Sequence, residues 1–236
     1  MKLVKYIANL GYGSRRDVMR MLADRRITRR NGTILGEGDI VVHEDVLIDG
    51  EVLDPAPGSA LMLNKPVGYA CSTKDANRLI YELLPARFAD RSPIIAAIGR
   101  LDRDSSGLLL LTDDGRLNHR VTSPRSHLPK TYEVRLAIDL RGDEGLAFAG
   151  GALMLAGETA ALQPATLEVL GPRRARVTVI EGRYHQVRRM FAAVGNHVDA
   201  LHRSAIGRLT LDDLPSGHWR VLTAVELSVL WSPKAP

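Results

Sequence analysis

Apolar positions recur at helical spacing at the start of the chain, at Leu3, Tyr6, Ile7 and Leu10, and predict a first helix broken by Gly11 and Gly13. Ser14-Arg15-Arg16-Asp17 has the form of a capping box, so a second helix opens there with Val18, Met21 and Leu22 as its stripe; Ile27 follows. Arg15, Arg16, Arg20 and Arg26 are left for solvent or a ligand. Short β-like runs follow at residues 40–42 and 46–48, and Asp49-Gly50 is a two-residue hairpin turn into residues 51–53. Asp54-Pro55-Ala56-Pro57-Gly58-Ser59 interrupts both periods and divides the chain into residues 1–58 and 59–236.

The second part opens with a buried-strand pattern at 60–63, then the turn Asn64-Lys65-Pro66-Val67-Gly68. Residues 78–84 have helical spacing up to Pro85, and 108–111 form a continuous apolar run ended by Asp113-Asp114-Gly115. Strands are expected at 130–136, 165–170, 176–180 and 219–222. A helix is expected at 184–194 with Val187, Met190, Phe191 and Val194 inward, and Thr223-x-x-Glu226 caps a last one. Strands and helices do not alternate regularly, which predicts an α+β fold: a mixed, largely antiparallel sheet flanked by helices.

Charge sharpens the division. Residues 1–30 carry nine Lys and Arg against Asp17 and Asp24, whereas residues 31–58 carry seven acids and no Lys or Arg. A small domain with one basic and one acidic face is implied, and a clustered basic face suits phosphate backbones as well as plain solvation. The 236 residues carry a net charge of +5 and are 45% hydrophobic, which excludes a disordered chain. No apolar run spans a membrane, and the first residues lack a secretory pattern. Cys71 is the single cysteine, which excludes an internal disulfide and a cysteine zinc cluster. A cytoplasmic protein is expected.

Three stretches combine turns with reactive side chains. In Gly99-Arg100-Leu101-Asp102-Arg103-Asp104-Ser105-Ser106-Gly107 the carboxylate of Asp102 is flanked by two arginines, which favour its ionised form. Such a carboxylate serves as a nucleophile or stabilises a cation, or simply knits the loop. Asp102 with Asp104 is also a formal glycosidase pair. Near Ser123-Pro124-Arg125 and Lys130-Thr131-Tyr132, the tyrosine is either a half-buried sheet residue or a phenol placed over a base for stacking or proton transfer. Glu181-Gly182-Arg183-Tyr184-His185-Gln186-Val187-Arg188-Arg189-Met190 brings arginines to a helix start, where they do not suit its dipole and call for phosphate or a buried carboxylate. No metal-ligand spacing, phosphate loop or nucleophile elbow is present.

Asn64-Lys65-Pro66-x-Gly68-Tyr69, Gly99-Arg100-Leu101-Asp102, Ser123-Pro124-Arg125 with Lys130-Thr131-Tyr132, and Glu181-Gly182-Arg183-Tyr184-His185-Gln186, in this order, resemble the signatures of the pseudouridine synthases. The likeness is greatest to the RsuA-type branch that acts on small-subunit ribosomal RNA, and residues 1–58 resemble the S4 RNA-binding domain of that branch. The resemblance implies that Asp102 is the catalytic aspartate, that Tyr132 stacks on the target base and acts as general base at C5, that Arg183 pairs with Asp102, and that Leu201 packs beside the base. It implies no cofactor and no metal. Arg15, Arg16, Arg20, Lys65, Arg100, Arg125, Lys130, His185, Arg188 and Arg189 are the expected RNA contacts. The implied reaction breaks the N1–C1′ bond of a uridine, rotates the uracil and joins C5 to C1′; whether the aspartate attacks C1′, attacks the base or assists an elimination is left open. The implied substrate is 16S rRNA or a small-subunit assembly intermediate, at a site of the uridine-516 type, with a monomeric enzyme and no membrane partner. A synthase acting on 23S rRNA and a non-catalytic ribosome-assembly factor are the alternatives. The chain departs from the S4 pattern in having Val4 where an aspartate is common, and in its heavier arginine stretch 25–31.

Overall fold

The computed structural model describes residues 2–72 and 76–231. Helices α1 (Leu3–Asn9), α2 (Arg15–Ala23), α3 (Gly115–Thr122), α4 (Glu144–Ala149), α5 (Gln186–Ala193) and α6 (Ala224–Val229) accompany two sheets. The strands are β1 (Ile27–Arg29), β2 (Val46–Ile48), β3 (Glu51–Val52), β4 (Ala60–Lys65), β5 (Ala96–Ile98), β6 (Ser105–Thr112), β7 (Lys130–Leu136), β8 (Thr166–Gly171), β9 (Arg174–Val179), β10 (Val198–Ile206), β11 (Leu209–Thr210) and β12 (Trp219–Val221).

The N-terminal unit has its own core. α1 and α2 pack Leu3, Ile7, Leu10 and Val18 against Ile27, Val46 and Ile48 of the sheet β1-β2-β3. The capping box forms: Asp17 accepts from Ser14 N at 2.9 Å, and Ser14 Oγ accepts from Asp17 N at 3.2 Å. Asp49 and Gly50 both take left-handed backbone, as a two-residue hairpin turn demands. The strand expected at residues 40–42 does not form. Ile40 is 89% exposed, and β2 pairs instead with β1, whose polar Thr28 and Arg29 concealed it in the pattern.

The large sheet has the order β12-β4-β6-β10-β7-β9-β8, with β5 on β6 and β11 on β10. Only the β6–β10 pairing is parallel among those described, so the mixed, largely antiparallel sheet stands. Leu108 and Leu110 face one cluster with Met62, while Leu109 and Leu111 face another with Leu61 and Leu63. A central strand covered on both faces needs apolar residues at every position, which explains the continuous run. β10 is a central strand without such a run. It carries Asp199, His202 and Arg203, and its pairing with β7 is shifted at two points, so no period-2 pattern survives. Residues 78–84 hold only a short 3-10 turn at Ile80–Leu83. The turn at 113–115 opens α3, because Asp114 caps the amides of Arg116 and Leu117. α5 starts two residues later than expected, after His185 in left-handed backbone.

The two units meet along a polar seam. Arg87 holds Asp54 through two hydrogen bonds, and Ser92 N donates to Asn9 O at 2.9 Å. Gly11 lies so close to this seam that a Cβ would sit 2.2 Å from the Arg87 carbonyl, so only glycine fits. Arg91 reaches Pro55 O at 2.9 Å and Asp113 at 3.2 Å, and both side chains of that ion pair are at most 3% exposed. Removing one member of a buried pair leaves the other uncompensated, so Asp113→Ala is expected to cost about 3–5 kcal/mol. Urea unfolding measures this; a loss under about 1 kcal/mol would show that the seam does not depend on the pair.

Candidate active site

Three cations build the site around one loop. Lys65 ends β4 fully buried, and its ammonium donates to the carbonyls of Pro66 (3.1 Å), Asp102 (3.0 Å), Arg103 (3.4 Å) and Ser105 (2.7 Å). Arg188, in the first turn of α5, donates to Asp104 O at 3.1 Å and to Val198 O at 2.8 Å. Arg203 of β10 donates to Leu108 O at 2.7 Å and Arg100 O at 3.4 Å. The backbone oxygens of 100, 102–105 and 108 are thereby all turned inward onto positive charge. Gly107 lets β10 come close: its φ is +108°, and a Cβ there would lie 2.3 Å from Arg203 O.

This loop delivers Asp102, with its side chain 30% exposed, to the wall of a cavity of about 530 Å³. Tyr132, Leu201, Lys130, Arg203 and Arg183 also line it. The sheet register explains the grouping. Tyr132 lies opposite Arg203, Val134 opposite Leu201, and Leu201 opposite Ser105, so alternate residues of three adjacent strands share one face. The carboxylate meets His185, whose Nε2 is 3.2 Å from Oδ1. The His185 ring stacks on the exposed Tyr184 ring at 3.9 Å. Asp104 does not share this cavity. It lines another, with Glu133 and His202, which removes the geometric basis for a glycosidase pair.

Several expected contacts are revised. Arg183 does not hold Asp102: its guanidinium bonds Glu181, Glu158 and the carbonyls of Ala160 and Ala161. Two carboxylates and two carbonyls nearer to hand satisfy its donors, and His185 takes its place beside Asp102. Lys65 cannot touch RNA, because it is buried and fully engaged. Arg188 and Arg189 are also internal braces; Arg189 bonds Glu158 at 2.8 Å, Ala156 O at 2.7 Å and Tyr184 O at 3.1 Å. Beside them, the carboxyl of Glu158 is held below the usual range, chiefly by its hydrogen bond from Arg189. Arg15, Arg16, Arg100 and Arg125 are exposed and, among the described residues, form no ion pair; Arg20 is exposed beside Asp17 at 3.6 Å. Arg203 and Ser105 were not legible as site residues. Arg203 stands in Leu201-His202-Arg203, two positions from a residue that was, and same-face spacing along β10 is the signal that would have found it.

Residues 59–193 match the family model described as RNA pseudouridylate synthase. The chain belongs to the RNA pseudouridylate synthase family. It is 44% identical over 238 residues to ribosomal small subunit pseudouridine synthase A of Yersinia pestis, covering 99% of both chains. It is equally identical, over 242 residues, to the protein of that name in Escherichia coli strain K12, covering 97% of this chain and 99% of that one. A solved structure described as a pseudouridylate synthase superposes with a TM-score of 0.69 at 39% identity, over 98% of this chain and 99% of that one. The protein is therefore an RNA pseudouridine synthase. No helix among the described residues of the synthase is long and apolar enough to cross a membrane, and none of its described His, Cys, Asp and Glu side chains form a cluster able to hold a metal ion.

Lys65→Met keeps the side-chain length but strips the synthase loop of its donor. Buried acceptors left unsatisfied cost about 1–3 kcal/mol each, so stability and turnover are expected to fall together. Chemical unfolding and pseudouridine formation read the two effects. Unchanged stability with weaker RNA binding alone would return Lys65 to a backbone-contact role.

Proposed function

We propose that this enzyme converts one uridine of 16S rRNA, in free RNA or in a small-subunit assembly intermediate, to pseudouridine at a site of the uridine-516 type, acting as a cytoplasmic monomer. The observation that carries the reading is the Asp102 carboxylate on the wall of a cavity roomy enough for a nucleoside, with Tyr132 and Leu201 beside it. Support for the substrate comes from the relatives named for the ribosomal small subunit, which match over nearly their whole length.

The chemistry follows from placement. A uridine in structured RNA presents its glycosidic bond only when extruded. Leu201 and the Tyr132 ring offer the extruded base an apolar slot. Asp102, its carboxyl 3.2 Å from His185 Nε2, acts at the sugar or at the base ring. Tyr132 supplies the phenol that takes the C5 proton. Residues 1–58 serve as an S4-like RNA-binding domain, whose two-helix, three-strand unit presents Arg15, Arg16 and Arg20 on the exposed face of α2. Arg100, which lines the cavity, and Arg125, which follows the lining residue Pro124, are exposed and, among the described residues, form no ion pair, so they add to the basic surface.

Mapping pseudouridines in rRNA from cells lacking the protein tests the substrate. Loss of one small-subunit pseudouridine is expected; loss at a large-subunit position would support action on 23S rRNA. Purified Asp102→Asn protein is expected to bind RNA and form no pseudouridine, and any measurable product would remove Asp102 from the chemistry. Replacing Arg15, Arg16 and Arg20 with Ala is expected to lower the slope of log affinity against log salt by roughly two to three units, with turnover retained at saturating RNA. An unchanged slope would mean that these arginines are only solvated.

A further inference from the structure

Lys130 and Arg203 share the cavity floor with Asp102, and their own partners leave them incompletely satisfied. Arg203 is 3% exposed, yet among the described residues its Nη2 has no hydrogen-bond partner. Ser105 is fully buried, and its Oγ likewise has none. Lys130 donates only to Leu128 O at 3.2 Å and meets no carboxylate among those residues. Burial, and then the nearby Arg203 guanidinium, hold its ammonium below the ordinary lysine value. All three residues line the cavity, and among the described residues their remaining donors find no acceptor in the protein. Unpaired buried donors are costly, so such a floor is built for something that accepts hydrogen bonds and carries negative charge.

We propose that Lys130 and Arg203, with Ser105 Oγ as a third donor, receive the uracil as an anion once its bond to the ribose has broken. The proposal rests on reading this cavity as the uridine site. When N1–C1′ breaks, both bonding electrons leave with the base, and the charge spreads over N1, O2 and O4. The deficit at C1′ is met by Asp102, which bonds to that carbon or removes the 2′ proton. After rotation, an electron pair from the ring forms C5–C1′ as the Asp102–C1′ bond breaks, or as the 2′ proton returns from Asp102 to C2′; the C5 proton then passes to the general base, and N1 regains a proton. Positive charge fixed where the base acquires negative charge lowers the cleavage barrier, as donors do in an oxyanion hole. It also retains the detached base, which no covalent bond then holds. A phosphodiester is the less suitable occupant. Lys130, Arg203 and Ser105 sit on the sheet floor, whereas Arg100 and Arg125 are the exposed cations available to the RNA backbone.

The test uses the full-length enzyme, a small-subunit rRNA transcript and the same transcript carrying 5-fluorouridine. Single-turnover rates and RNA affinities are measured for Lys130→Met, Lys130→Arg and Ser105→Ala. Lys130→Met is expected to slow the reaction of the base by roughly 100-fold, with RNA affinity unchanged and partial recovery in Lys130→Arg. Fluorine makes uracil the better leaving group, so the defect is expected to shrink on the fluorinated transcript. Ser105→Ala separates function from packing. Deleting an unpaired buried hydroxyl is expected to leave the protein as stable or more stable, yet slower. A defect in Lys130→Met that lies in affinity and its salt dependence, with the rate intact, would overturn the proposal in favour of a phosphate contact. An equal defect on both transcripts, or a Ser105→Ala enzyme of full speed, would overturn it too. A wild-type enzyme that modifies no small-subunit transcript or particle would instead refute the substrate reading.

Discussion

The buried Lys65 ammonium is the interaction on which the site depends. A lysine out of water is unfavourable unless its donors are satisfied. Here four carbonyls satisfy them, and three belong to Asp102, Arg103 and Ser105. Burial pushes the ammonium below its ordinary value, with Cys71 and Asp102 opposing that shift. One charge at the end of β4 thus dictates the path of a chain segment some forty residues away. That path sets where the Asp102 carboxylate lies relative to the sheet. Arg188 and Arg203 do the same from α5 and β10, so three separate elements agree on one loop conformation.

The arginines and lysines consequently divide into two populations. Some are structural: Arg91 and Arg87 at the seam, Arg183 and Arg189 around Glu158, Arg188 and Arg203 around the loop. Others, including Arg15, Arg16, Arg100 and Arg125, are exposed and, among the described residues, unpaired. A mildly basic chain therefore presents its positive charge to a polyanion at selected places only. The inward arginines act mostly on carbonyls and carboxylates, where their planar fork satisfies several acceptors at once.

The sheet supplies the remaining order. β6 and β10 run parallel side by side, close enough to exclude any side chain at Gly107. This closeness places Ser105, Leu201 and Arg203 on one floor, and the antiparallel pairing of β10 with β7 adds Tyr132 and Lys130. Residues that touch the same cavity thus come from segments about 100 positions apart.

Much of this was legible in the residues alone. The capping boxes at Ser14 and Thr223, the Asp49-Gly50 turn and the apolar run at 108–111 depend on local geometry or local burial, and each formed as its pattern implies. The motifs carrying Asp102, Tyr132 and Leu201 were equally visible, and all three reach one cavity. What stayed hidden depends on partners distant in sequence. β10 has no alternating pattern because its bulges and polar residues answer to β6 and β7. The partner of Asp102 could not be read from charge type, since Arg183 found closer acceptors and His185 remained free to turn toward the carboxylate. Sequence by itself determined the local elements and the chemical groups; tertiary structure decided which cations face inward, because only the folded chain sets which acceptors lie within about 3 Å of each donor.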